Sequence, residues 1–235
     1  MGILGHLADV VRVPFRVARI QTHMRNLELR LETVRSELLF EFRYGGRNEA
    51  ETKPTENRIV SPEKLRGSIR LNIGCGHVPL PDYVNVDMRG LPGVDIVAPI
   101  DKIPVEPGTV SEIYSSHLLE HFPQEALRRN LLPYWVSLLA PGGLFRAIVP
   151  DGEAMIMMAA QGSYPFDVFR AVLFGSQDYT GDFHYNMFTP GSLTELLLEA
   201  GFRDVAVPAK ARWKKGCYEF EIQATSPLSQ KDGGR

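Results

Sequence analysis

The sequence predicts an α/β fold: a doubly wound, mostly parallel sheet with an antiparallel last strand, preceded by a long N-terminal helix. Three observations carry this. From residue 68 onward, short apolar runs alternate with helical patterns, as in a sheet whose two faces are both covered by helices. Before residue 44, apolar residues recur at alternating spacings of 3 and 4, which makes a stripe along one helix face. Between these two regions, residues 45–66 read as a linker, whose stretch 45–57 contains almost nothing apolar and cannot bury enough surface to order itself. The expected organisation is a helix over 1–44, a polar linker over 45–66, an α/β domain over 67–226 and a disordered tail over 227–235.

Composition narrows the function classes. The chain has 235 residues, 44% hydrophobic and 23% charged, which is ordinary globular usage. Its formal net charge of −2 excludes a globally basic nucleic-acid footprint. Two cysteines, Cys75 and Cys217, cannot build a disulfide framework. No apolar run reaches the roughly 18 residues that span a bilayer. The first residues do not read as a secretory signal, because Asp9, Arg12, Arg16 and Arg19 interrupt the apolar stretch. The expected compartment is the cytosol.

The N-terminal seam runs through Val10, Val13, Val17, Ile20, Met24, Leu27, Leu31, Val34 and Leu38. A 3.5-residue repeat held this long predicts a coiled coil and hence a homo-oligomer through residues 10–43. Pro14 weakens the first heptad by removing a backbone donor. Residues 1–30 carry Arg12, Arg16, Arg19, Arg25 and Arg30 against Asp9 and Glu28, so the arm could also lie on an anionic membrane surface.

The strands of the domain are expected at 69–73, 83–87, 95–97, 112–116 and 144–149, with a closing pair near 205–207 and 219–224. Helices are expected from Gln124 to Leu139, stopped by Pro141-Gly142-Gly143, and from Ser192 to Ala200, capped by Gly201. Residues 164–188 read as a polar and aromatic loop. Ligands of such sheets sit outside the carboxyl ends of the strands, so the strand exits hold the candidate residues. At the first exit, Gly74 and Gly76 let backbone approach a ligand closely. At the second stands Asp87, whose carboxylate can accept both hydrogens of a ribose diol. A third glycine of the dinucleotide fingerprint is missing, since position 79 is Pro, which argues against a dehydrogenase.

Taken in order, Leu71-Asn72-Ile73-Gly74-Cys75-Gly76, Val86-Asp87, Ile113 to Phe122 and Leu139-Ala140-Pro141-Gly142-Gly143 resemble the motifs of class I S-adenosylmethionine-dependent methyltransferases. The resemblance covers about residues 68–225 and is nearest to the small type-11-like branch linked to bacterial surface-glycan biosynthesis. It implies a Rossmann-like methyltransferase fold with S-adenosylmethionine as cofactor. It implies that Gly74, Cys75 and Gly76 wrap the methionine part, that Asp87 holds the ribose, and that Ser116 lies beside the cofactor. Asn72 stands where the family usually has an acidic residue. Pro99 stands where an Asp often meets the adenine, and Asp101 is its expected replacement.

Transfer to a hydroxyl is helped by a general base. His117, at the fourth strand exit, and His121, four residues on, are the expected catalytic residues; Asp151 and His184 are further candidates. His117-Leu118-Leu119-Glu120-His121 also fits the H-x-x-E-H zinc-peptidase pattern, but that chemistry needs both histidines on one helix face and a third ligand. No metal is expected. The acceptor expected from the resemblance is a small molecule or glycan, with a sugar hydroxyl foremost. Nucleic acid is disfavoured, since an Asp/Asn-Pro-Pro-aromatic element is absent after the fourth strand. A non-catalytic cofactor-binding module assembled by the coiled coil is the alternative.

Overall fold

The computed structural model describes residues 20–25, 27, 28, 30, 31, 34, 57–177 and 181–228. The chain divides into two units, Met1–Asn48 and Glu49–Arg235. In the first, the described residues are helical. Ile20, Met24, Leu27, Leu31 and Val34 are each more than half exposed. The expectations for 1–19, 35–56 and the tail 229–235 lie outside the described residues. Among those described, no helix is long and apolar enough to cross a membrane.

The second unit is an eight-stranded sheet flanked by helices. Its strands are β1 (Arg58–Ile59), β2 (Ile69–Ile73), β3 (Val84–Asp87), β4 (Ile96–Val97), β5 (Val110–Ser116), β6 (Leu139–Pro150), β7 (Arg203–Lys214) and β8 (Cys217–Thr225). Their order is β1-β4-β3-β2-β5-β6-β8-β7. Strands β4, β3, β2, β5 and β6 are mutually parallel, while β8 runs antiparallel to β6 and to β7. This is the doubly wound, mostly parallel fold with an antiparallel last strand that the alternation predicts. Chain direction reverses sides between β2 and β5, which is where ligands of such sheets bind.

Helix α1 spans 124–138 as a short turn, a π-type segment Leu127–Leu131 and a regular stretch Leu132–Leu138. The wide π turn precedes Pro133, which lacks the amide proton that a regular helix would donate to the carbonyl of Arg129. Helix α2 is Gly152–Ala160, α3 is Phe166–Phe174 and α4 is Pro190–Glu199. The core under α1 and α4 is aromatic: Trp135, Phe145 and Phe202 are fully buried, and the Trp135 indole N–H donates to the Ile100 carbonyl at 2.9 Å.

Three expectations are corrected. Residues 58–65, placed in the polar linker, belong to the domain. Arg58–Ile59 pairs antiparallel with β4, and Pro62–Leu65 forms a 3-10 turn fixed by the ion pair of Lys64 with Asp95 at 2.8 Å. The pairing is made by backbone groups, so composition did not announce it. The loop expected over 164–188 contains α3, which packs Val168, Phe169 and Val172 on the cluster around Tyr164 and Tyr218 while none of its residues is fully buried. The brief strand at 205–207 is instead the 12-residue edge strand β7. Its register shifts three times, and Pro208 sits within it, which only an edge strand tolerates.

Candidate functional site

The site lies along the carboxyl ends of β2, β3, β5 and β6. After β2 the backbone enters a left-handed turn, with φ +65° at Gly74 and +52° at Gly76. The left-handed φ at Gly74 disfavours any side chain, and a Cβ there would press on Leu118 Cδ1 at 2.5 Å, which would have to turn aside. The Gly76 N–H donates to Asp87 Oδ2 at 2.8 Å, tying the glycine turn to the end of β3. Asp87 Oδ1 accepts from the Arg89 backbone at 2.9 Å and from Arg89 Nε at 3.0 Å. Gly74, Gly76 and Asp87 are therefore one connected structure. Cys75 is buried beside them, and burial, reinforced by the Asp87 charge, pushes its thiol up to about 12. It is a neutral packing residue at neutral pH.

Asn72 is buried, and its amide donates to Asn85 Oδ1 at 2.9 Å. Asn85 in turn accepts from the Leu80 N–H at 2.7 Å and donates to Asp95 at 3.1 Å. The residue thus organises the segment after the glycine turn. Asp101 is exposed in the turn that follows β4. Ser116 ends β5 and is half-buried.

His117 follows with φ +52°, a costly conformation for a residue with a Cβ. Its N–H donates to the Ile148 carbonyl at 2.8 Å, so it continues the edge of β5 beside β6. Its side chain is 39% accessible, yet both ring nitrogens face carboxylates. Nδ1 is 3.3 Å from Glu120 Oε1, and Nε2 is 3.2 Å from Glu219 Oε2 on β8. Glu219 also takes an ion pair from Arg212 at 2.6 Å. Loss of water around the His117 ring opposes its charge, but the two carboxylates outweigh this and hold it at about 9. The two carboxylates thus favour the charged form of the ring.

Glu120 and His121 lie in a 3-10 turn, Leu119–His121. Glu120 is 1% exposed. Burial pushes its carboxyl up, and the His117 cation pulls it back below the usual range. The turn is gripped from the segment after α3: the Tyr185 and Asn186 N–H groups both donate to the Glu120 carbonyl, at 2.8 and 3.2 Å, and Asn186 Nδ2 donates to the Phe122 carbonyl at 2.6 Å. These bonds bring His184 edge-on to His121, with ring centroids 4.7 Å apart. His184 Nδ1 is 2.6 Å from the Val172 carbonyl on α3; a carbonyl only accepts, so Nδ1 carries the proton. Burial, aided by nearby His121, holds His184 below the usual histidine range, so its ring is neutral.

Of the expected site residues, the fold brings Gly74, Cys75, Gly76 and Asp87 into one group. It brings His117, His121 and His184 into a second, to which Glu120 and Glu219 belong. The H-x-x-E-H geometry is not formed, because His117 precedes the turn in a left-handed conformation and both its nitrogens are engaged. Asp151 is a structural residue. Its Oδ1 caps α2 by accepting from Ala154 N–H at 3.0 Å, and Oδ2 accepts from Ala211 N–H at 2.9 Å.

No family model and no curated protein matches the chain. Solved structures do resemble it. One is a possible exported protein from Bordetella parapertussis, at 16% identity and TM-score 0.47, covering 69% of this chain and 62% of that one. A second is a SAM-dependent methyltransferase from Thermotoga maritima, at 15% identity and TM-score 0.49, covering 70% of this chain and 86% of that one. A third is a SAM-dependent methyltransferase from Methanosarcina mazei, at 16% identity and TM-score 0.48, covering 72% and 97%. The chain thus spans less than two thirds of the Bordetella protein. These are likenesses of chain path, and the sheet order stands on its own register.

Proposed function

We propose that this protein transfers a methyl group from S-adenosylmethionine to a hydroxyl of a small-molecule or glycan acceptor. The observation that carries the reading is the connection of Gly76 to Asp87 at the point where the sheet changes direction, with the histidine–carboxylate group on the neighbouring exit. Gly74 and Gly76 give the close backbone approach that a methionine chain needs, and Asp87 offers the acceptor for the ribose hydroxyls. Ser116 and Asp101 are assigned to the cofactor's flank. The acceptor is assigned to the side of His117, His121 and His184. There the exposed rings of Phe183 and Tyr185, on either side of His184, can stack on a sugar face.

In the transfer, a lone pair of the acceptor hydroxyl attacks the methyl carbon and the hydroxyl proton passes to solvent water. The carbon–sulfur bond breaks with its electrons passing to sulfur, releasing S-adenosylhomocysteine and the methyl ether. Holding the three atoms in line supplies several kcal/mol. His117 acts by position: it holds Glu120 and Glu219 together across the sheet end. A methyl-transfer assay with labelled S-adenosylmethionine over nucleotide-sugars and glycans, read by mass spectrometry, tests the reading. A product heavier by one methyl group supports it; label that moves to no hydroxyl acceptor in such a panel counts against the acceptor class.

We further infer that the first unit pairs with a second copy of this chain. The exposed seam from Ile20 to Val34 keeps the 3-and-4 spacing that a coiled-coil partner of identical sequence satisfies.

A further inference from the structure

We propose that Glu120, His121 and His184 bind one divalent transition-metal ion. This departs from the metal-free site expected from the sequence. Two imidazoles and a carboxylate suit zinc, manganese, iron or cobalt, rather than the all-oxygen shells of calcium and magnesium. One ligating atom from each of the three residues lies within 4.8 Å of the others. A filled tetrahedral site has edges of about 3.4 Å at the usual metal–ligand distances, so modest ring rotations close it.

Four observations support an ion here. Glu120 is 1% exposed, and neither of its oxygens has a hydrogen-bond partner among the described residues. Its one close cation among the described residues is the His117 ring, 3.3 Å from Oε1. A buried carboxylate with a single, shared cation leaves acceptor capacity unused, and burying such capacity is costly. His121 Nδ1 is also buried without a hydrogen-bond partner. His184 is fixed in the tautomer that a ligand needs. Its Nδ1–H is spent on the Val172 carbonyl, which leaves Nε2 with the lone pair, the usual outer-shell arrangement of a metal-bound histidine. Finally, three hydrogen bonds from Tyr185 and Asn186 onto the Glu120 turn have the effect of seating His184 there. In this scheme His117 steadies the far oxygen of the Glu120 carboxylate.

The described group supplies three ligands and so leaves coordination positions open. An acceptor oxygen can occupy one. That role rests on the methyl-transfer reading, but binding of the ion does not, so the two fail separately.

The test is a titration of chelator-treated, full-length protein with Co²⁺ alone, without S-adenosylmethionine, followed by visible absorption and elemental analysis. One equivalent with a d–d spectrum is expected for the native chain. His184→Ala and His121→Ala should each weaken binding by at least about 100-fold, beyond what loss of an outer-shell partner costs. His184 is half-buried, so its variant should fold, and circular dichroism checks both. Absence of cobalt binding in the native chain below about millimolar concentration would overturn the proposal. So would binding that persists unchanged in either folded variant, because the ion would then sit elsewhere.

Discussion

His117 and Glu219 join opposite parts of the sheet: Nε2 of the histidine at the end of β5 lies 3.2 Å from Oε2 of the glutamate on β8, 102 residues later. Glu120 takes the other ring nitrogen, so one imidazolium is shared by two buried carboxylates, of which Glu219 also pairs with Arg212. The arrangement fixes the exit of β5 relative to the antiparallel strands. It also explains why a non-glycine residue is held at φ +52° there.

Removing that ring should cost stability. His117→Ala leaves Glu120 and Glu219 without their shared cation, although Arg212 still serves Glu219. A loss of about 3 kcal/mol is expected, at the low end for a broken buried pair because the ring is partly exposed. His117→Ala with Glu120→Gln should recover part of it, since the uncompensated charge is gone. Denaturant unfolding in the presence of chelator measures both. A single variant as stable as the native chain would show that the pairing contributes little.

Asp87→Ala should weaken S-adenosylmethionine binding by about 1.5–3 kcal/mol, the range for hydrogen bonds to a charged group. Arg89 makes a sharper comparison, because in this structure it occupies Asp87 Oδ1. Arg89→Ala should leave affinity unchanged or tighten it. A loss beyond about tenfold, or 1.4 kcal/mol, would mean that Arg89 itself contacts the cofactor. Calorimetry on the two variants decides.

Asp151→Ala should lower stability by about 2 kcal/mol through loss of the α2 cap and of the acceptor for Ala211 N–H. Cofactor affinity should be unchanged. A folded Asp151→Ala protein with native stability but no methyl transfer would instead place this carboxylate in the chemistry.

Leu27→Asp with Leu31→Asp should turn an oligomer into a monomer, since each places a charge in the exposed seam. Light scattering reads the mass. A native chain that is already monomeric at micromolar concentration would end the coiled-coil reading.

Much of this was legible in the sequence, and the reasons differ by element. Strand β2 runs into Gly74 and β3 ends in Asp87, whose special backbone and charge mark the exits within a few residues. The mostly parallel character of the sheet followed from alternation; its strand order came only with the structure. Strand β1 was hidden because two residues, one of them Arg58, pair through backbone. Helix α3 was hidden because the exposed Phe166 and Phe174 lie among the apolar residues and blur the face that Val168, Phe169 and Val172 pack inward. The histidines were found by position, but their states were not. The charged form of His117 is favoured by Glu120 and by Glu219, and His184 is oriented by the Val172 carbonyl; Glu219 and Val172 come from elements distant in sequence. Glu219 had a local signal only in hindsight: a run in which Cys217, Tyr218, Glu219 and Phe220 are all buried leaves one charge that needs a partner.

The central claim is that the strand exits of β2 and β3 hold S-adenosylmethionine. Isothermal titration of the native chain with S-adenosylmethionine and S-adenosylhomocysteine tests it without knowledge of the acceptor. The account predicts one site per chain for each, with both affinities lowered together in Asp87→Ala. Heat-silent titrations, with no protection of the fold against thermal unfolding at about 1 mM of either compound, would contradict it.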